Sequence, residues 1–369
     1  MAEAALYVHL PWCIRKCPYC DFNSHPLKAK LPVDDYVDAL VKDLQVQLKE
    51  ASVEVIPSVF FGGGTPSLFP PEAFARLLES LGTLLSPGAE VTMEANPGTT
   101  EHGELTGYRR AGINRLSFGA QSFDDGRLAD LGRIHDSNAI RRSWELARAA
   151  GFDNLNLDLM YGLPNQNRDG ALADLKTALS FEPEHLSWYQ LTLEPKTEFA
   201  RRPPPLPGDI TLEAMEEAGY RMLEAAGYER YEVSAFAKPD RRSRHNLQYW
   251  TFGDYLGIGA GAHGKRRLPD GTSLRTRKAH QPRLYLNEPT TTVNAPIPGQ
   301  ALPGEFMLNA LRLVSGVPTE RFRETTGLDL DALEPARGEQ IEAGWLEADR
   351  LAATRRGYRL LDSLIQAYL

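Results

Sequence analysis

The chain has 369 residues, a formal net charge of −8 and three cysteines. That acidity argues against a general nucleic-acid binder. No window approaches the roughly 20 apolar residues of a membrane span. The opening MAEAALYVHLPWC has neither a basic region nor a long apolar run, so it reads as lacking a signal peptide, and a cytoplasmic location is expected.

The first two-thirds alternates between two patterns. Short apolar runs predict buried strands at 6–10, 58–61, 91–95, 115–119, 155–160 and 186–191. Amphipathic stretches predict helices at 34–50, 71–85, 101–111, 138–150 and 168–181, the first with Asp34 and Asp35 as N-cap candidates. Six βα units predict an α/β fold with a parallel sheet, closed, partly closed or doubly wound. Ligands in such folds sit at the C-terminal ends of the strands.

A proline-rich connector at 201–209 is expected to be extended. A helix at 211–226 and a strand within 228–237 follow. Residues 238–302 read as a basic, glycine-rich, irregular segment. From Lys238 to Arg283, eleven Lys and Arg face three Asp, a local net of +8. A solvated surface is the ordinary reading of such a run. Residues 303–369 predict helices at 303–315, 318–325 and 329–343, then a two-strand wing and a last helix. This is a small winged-helix-like α+β domain. Many such domains bind DNA, but eight Arg against eleven acidic residues favour a structural role here. The expected organisation is therefore 1–237, 238–302 and 303–369.

All three cysteines, Cys13, Cys17 and Cys20, lie in HLPWCIRKCPYCDFNSH after the first predicted strand. An odd count in one short window is a poor disulfide framework. Thiolates grouped in a loop want a metal. A zinc site with His9 or His25 as fourth ligand is one reading. The other is a [4Fe–4S] cluster, which normally takes four cysteines and here would keep one iron open.

The C-x3-C-x2-C spacing with Tyr19 before the third cysteine resembles the radical S-adenosylmethionine (SAM) superfamily. YVHLPWCIRKCPYCDF, GGGTPS, EANPG, RLSFGAQSF, LGRIH, NLDLMYGLP and HNLQYW are similar to the oxygen-independent coproporphyrinogen III oxidase-like family, along nearly the whole chain. The resemblance implies a partial (βα)6 barrel of the TIM type. It also implies a [4Fe–4S] cluster on Cys13, Cys17 and Cys20, with SAM chelated at the open iron.

Three glycines before Thr65 let backbone approach a ligand, with an ordinary turn as the alternative. The resemblance places Gly63, Gly64 and Thr65 at the SAM amino group. Glu94 ends one apolar strand and Gln121 the next. Asp158 is an acid in a buried run, needing a partner such as Arg133. By resemblance Glu94, Gln121, Arg133 and Asp158 form the SAM pocket. Tyr7 matches another SAM contact, Tyr19 the adenine side, and Gln190 a further pocket position.

True oxidases of the family carry a longer N-terminal extension and a cysteine where this chain has Phe22. The chain therefore resembles the HemW-type haem chaperone branch. That implies binding of haem and delivery to haem-accepting proteins, such as those of the respiratory chain, at the membrane surface when haem is delivered. It also implies no coproporphyrinogen decarboxylation. Haem needs aromatic surface, an axial donor and cations for its propionates. HNLQYW offers His245, Tyr249 and Trp250, and the matching motif is tied to haem in this branch. GAGAHGKRR offers His263, Lys265, Arg266 and Arg267, although His263 matches a SAM-side residue in the oxidases. The competing readings are an oxygen-independent porphyrinogen decarboxylase, another radical SAM enzyme, or a nucleic-acid modifier using 238–283 as its face.

Overall fold

The computed structural model describes residues 3–98 and 102–369. One sheet organises the chain. Its strands are β1 Ala5–Leu10, β2 Ile56–Gly63, β3 Leu85–Ala95, β4 Arg115–Gln121, β5 Leu155–Tyr161, β6 His185–Gln190, β7 Glu229–Arg230, β8 Ala235–Ala237, β9 Tyr255–Ile258, β10 His263–Arg267, β11 Ser273–Arg277 and β12 Val293–Pro296. Strands β1 to β6 lie side by side in chain order and all pair in parallel. That is the expected half-barrel. Strand β9 extends it in parallel beyond β1, and β10, β11 and β12 continue antiparallel. Strands β8 and β7 close the other side.

The expectation for 238–302 needs correction. The segment is not irregular: it carries β9 to β12 and the helices Arg244–Trp250 and Pro282–Asn287. The apolar periodicity there is hidden because the strands are short and spend side chains on paired charges. The expected helix at 71–85 stops at Glu79, and β3 begins at Leu85. The expected helix start at 101 lies outside the described residues.

The helices pack on one face of the sheet through plain amphipathic stripes. In helix Val33–Ala51, Val37, Leu40 and Leu44 are buried. Truncating a fully buried leucine such as Leu44 costs roughly 2–5 kcal/mol. Asp34 and Asp35 sit inside its first turn, where acids complement the helix dipole, but Pro32 occupies the cap and no side chain closes it. Asp136 and Asn167 do cap their helices, by accepting from the Ala139 and Gly170 amides; each such cap is worth about 1 kcal/mol.

Beyond the sheet, helices Leu302–Ala310, Glu320–Thr326, Ala336–Glu342 and Leu361–Gln366 form the C-terminal unit. Its wing is small: Val317–Pro318 pairs with Arg350–Leu351, and Leu346 bridges Ala353. Its core is shared with the preceding segment, because Phe306 and Phe322 pack in one cluster with Phe252 and Tyr231.

Candidate cluster and cofactor site with a neighbouring cavity

The cysteine loop leaves β1 and is stitched down on both sides. The Gly64 amide donates to Leu10 O at 2.8 Å, and Thr65 N donates to Trp12 O at 2.8 Å. On the far side, Phe199 N donates to Pro18 O at 3.1 Å and the Tyr19 ring meets Phe199. Gly63, the last residue of β2, and Gly64 after it are explained first by this stitching. Gly63 has φ +116°, and a Cβ there would meet the His9 ring at 2.5 Å. A Cβ on Gly64 would meet Trp12 O at 2.5 Å.

A cavity of about 540 Å³ opens over the strand ends. Cys13, Cys17, Cys20, Tyr19, Gly63, Gly64, Thr65, Glu94, Gln121, Arg133, Asp158 and Gln190 all line it. Its walls come from strands β2 to β6, so the open sheet curls enough for them to converge. A bulge between β4 and β5 re-aims Gln121, which takes φ +69° and accepts from Tyr189 OH at 2.9 Å.

The charges here are unbalanced. Glu94 is pushed up to about 7, first by burial and then by Asp158, against one opposing bond from the Gly63 amide. Burial also raises Asp158, although Ser117 and Asn156 donate to it at 3.0 and 2.8 Å. The expected Arg133–Asp158 pair is not formed. Arg133 instead donates to Asn96 Oδ1 and Gly119 O, both at 2.8 Å, and to Cys17 Sγ at 3.6 Å. Among the described residues neither acid forms a direct ion pair, although the Arg115 charge partly offsets the rise of Asp158, and such a pocket suits a cationic ligand.

Burial raises the Cys13 and Cys20 thiols. Loading a metal there would release protons. Among the described residues no three His, Cys, Asp or Glu side chains converge on a single-ion position. The fit to a cluster therefore rests on donor chemistry and a shared cavity: three thiols, an arginine on one of them, and an acid-rich pocket alongside.

Tyr7 faces a second cavity, of about 760 Å³. Lys16, Asp21, Phe22, Ser24, Gly63 and Glu94 line both, so the two share a wall. Aromatic rings dominate the second: Tyr7, Phe22, Tyr249, Trp250, Phe252 and Tyr255. Burial, then Glu94, raises the Tyr7 hydroxyl, which donates to His9 Nδ1 at 2.9 Å. His9 Nε2 faces Asn23 O at 2.9 Å, which fixes that tautomer.

His245, expected as a haem ligand, lies in neither cavity. The HNLQYW helix plugs the floor of the half-barrel, and Glu90 accepts from its Arg244 and His245 amides. His245 is 1 % exposed. Ser58 Oγ engages its Nδ1 at 3.0 Å and Tyr249 OH its Nε2 at 2.7 Å. Burial, then Arg115, lowers it to about 3. Both nitrogens are committed, and the role open to it is to hold Tyr249.

The basic run is also largely spent. Lys265 pairs with Asp254, Arg266 with Glu50, Arg275 with Glu305 and Lys278 with Asp43. Arg267 donates to Glu324 O. Lys265 and Arg275 line the second cavity as members of pairs, while Arg266 and Arg267 do not reach it. Sequence reasoning missed Asn96, Ser117, Ser187 and Tyr189, which line the first cavity. Period-two alternation with Glu94 and Asp158 could have found Ser117, Ser187 and Tyr189.

A parallel half-barrel with a three-cysteine loop after its first strand defines a class. The family model for the radical SAM superfamily matches residues 7–178, and the HemN C-terminal domain model matches 297–360. The heme chaperone HemW of Escherichia coli (strain K12) is 46% identical over 369 residues, 99% of this chain and 98% of that protein. HemW of Bacillus subtilis (strain 168) is 36% identical, covering 89% of each. The mouse radical S-adenosyl methionine domain-containing protein 1, mitochondrial, is 41% identical over 75% of this chain and 64% of that protein. The solved coproporphyrinogen III oxidase (HemN) from Escherichia coli aligns over 100% of this chain and 90% of its own, with TM-score 0.80 and 22% identity. The chain belongs to the HemW family of radical SAM proteins. Among the described residues, no helix is long and apolar enough to cross a membrane.

Proposed function

We propose that this protein is a haem chaperone. It carries a [4Fe–4S] cluster on Cys13, Cys17 and Cys20, binds SAM beside it, and holds haem in the aromatic cavity for delivery to acceptor proteins. The observation that carries this reading is the shared wall: an acid-rich, thiol-bearing cavity abuts an aromatic, histidine-lined one.

When bound, the cluster supplies an open iron for the amino and carboxylate groups of SAM, and an electron for its sulfonium. The chain's own residues do the rest. Glu94 and Asp158 offer negative charge to a cationic ligand. Arg133 sits against Cys17 Sγ, where a cation steadies thiolate charge. Gln121 and Tyr189 are locked together on the far wall. Phe22, 59 % exposed, stands at the mouth of both cavities and offers apolar surface to a macrocycle but no thiol.

The test is anaerobic reconstitution with iron, sulfide, SAM and haem, followed by mixing with an apo-haemoprotein. Haem transfer without conversion of coproporphyrinogen III supports the reading. Catalytic formation of protoporphyrinogen would replace it with the oxidase.

A further inference from the structure

Four of the chain's eight histidines line the second cavity: His9, His25, His263 and His280. That concentration asks what they serve, and their bonding separates them. His9 is buried with both nitrogens engaged, by Tyr7 and by Asn23 O. His25 Nε2 faces Asn23 Oδ1 at 3.2 Å and His280 O at 3.3 Å. His263 and His280 are different. Both are exposed at the cavity, and among the described residues neither imidazole makes a hydrogen bond to the chain, while their ring centroids lie 6.2 Å apart. One metal ion can be reached from both rings at that separation, with bonds of about 2.0–2.1 Å.

The backbone beside the two rings is also held. His263 opens β10, after a GAGA turn tied to β1: the Ala260 amide donates to Tyr36 OH at 2.8 Å, and Tyr36 OH donates to His9 O at 2.9 Å. Gly259, at φ +98°, lets the turn approach, because a Cβ there would meet His9 O at 2.4 Å. On the other side, Asn23 Nδ2 donates to Ala260 O and His280 O, both at 2.9 Å. The backbones carrying the two imidazoles are thus pinned to one asparagine while their rings stay uncommitted. Desolvation together with the neighbouring His280, Arg275 and Arg277 lowers His263, which favours the neutral, metal-binding form.

We infer that His263 and His280 are the ligands of the haem iron in this cavity, and that His245 is not. The inference rests on the haem-chaperone reading and deepens it. The macrocycle is flanked by Tyr249, Trp250 and Phe22, and His245 acts from below by holding Tyr249.

The experiment is haemin titration into the anaerobic, cluster-loaded full chain, read by Soret absorbance and low-temperature electron paramagnetic resonance. Wild type is expected to give a low-spin, nitrogen-ligated spectrum. The H263A/H280A double variant is expected to lose that spectrum and to bind haemin more weakly, by at least the roughly 10–100-fold that even the outer partners of metal ligands contribute. Added imidazole is expected to restore the low-spin band. The single H245Q variant is expected to keep it. Cluster iron content and circular dichroism serve as folding controls for every variant. A double variant with the wild-type spectrum and affinity overturns the inference and leaves haem binding intact. So does loss of the band in H245Q alone. A wild-type chain that binds no haemin overturns the haem-chaperone reading itself, and the inference with it.

Discussion

The two cavities share a wall but follow opposite electrostatic plans. The cavity over the strand ends has a charge deficit, with Glu94 and Asp158 buried and both raised by desolvation. The aromatic cavity lies next to the most basic stretch of the chain, yet its cations already have partners. Charge along the sequence therefore misleads about charge in space. A net of +8 over 238–283 pointed to an anion site, and folding turns Arg266, Arg275 and Lys278 to the outside acids Glu50, Glu305 and Asp43, while Lys265 pairs with Asp254 of the run itself. The quieter acids of β3 and β5 are the ones left wanting a ligand.

The largest effect is expected at the thiols. Changing Cys13, Cys17 or Cys20 to Ala should abolish the cluster, taking bound iron and sulfide from about four each per chain to near zero. Colorimetric iron and sulfide assays check this, and one tightly held zinc in the wild type would contradict it. Gly64→Val should act in the same direction, since its side chain would push on Trp12 O and unstitch the cysteine loop. Iron content should fall together with SAM affinity.

Next comes the buried pair of the basic run. Lys278 and Asp43 are both essentially inaccessible, and Tyr285 donates to Asp43 at 2.8 Å. Lys278→Met should cost roughly 3–5 kcal/mol, because it leaves a buried carboxyl without its cation. Urea unfolding measures this. A loss below about 1 kcal/mol would mean that the run is not structural.

Glu94 sharpens the contrast from the acid side. Burial and Asp158 push its carboxyl up to about 7, and a cation beside it would favour its ionised form. Binding would then release a proton, so SAM affinity should rise with pH up to about 7 and level off above it. Glu94→Gln should bind SAM about 10–150-fold more weakly, the loss of one charge-assisted contact, and show a flat profile. Calorimetry across pH checks both. The smallest effect is expected at Arg242, whose pairing with Glu229 is open to solvent. Arg242→Gln should change stability by less than about 1 kcal/mol.

Much of this architecture could be read in the chain. The six parallel strands stand out because each holds a short, mostly apolar stretch that is largely buried. Glu94 and Gln121 were visible because each stands at the end of such a run, and Asp158 because an acid inside one has few places to go. The cysteine spacing marked the three-thiol loop, and the family resemblance, not the spacing, put Glu94 and Arg133 beside it; all five line one cavity. Other features depend on tertiary contacts. His245 looks like a ligand in sequence, but only the fold reveals Ser58 and Tyr249 on its two nitrogens. Gly63 and Gly64 look like a ligand cradle, and their first duty is to let β1 pass close by. The uncommitted rings of His263 and His280 come together only because β10 and the loop after β11 are pinned by Asn23. No local pattern records that.

The central claim is that two cavities hold two different ligands side by side. It is tested most directly by titrating haemin into protein already loaded with cluster and SAM, with both ligands quantified after gel filtration. The account predicts about one haem per chain, ligated by nitrogen, with the SAM and cluster iron retained. Release of one SAM for every haem bound, or loss of cluster iron as haem enters, would contradict it.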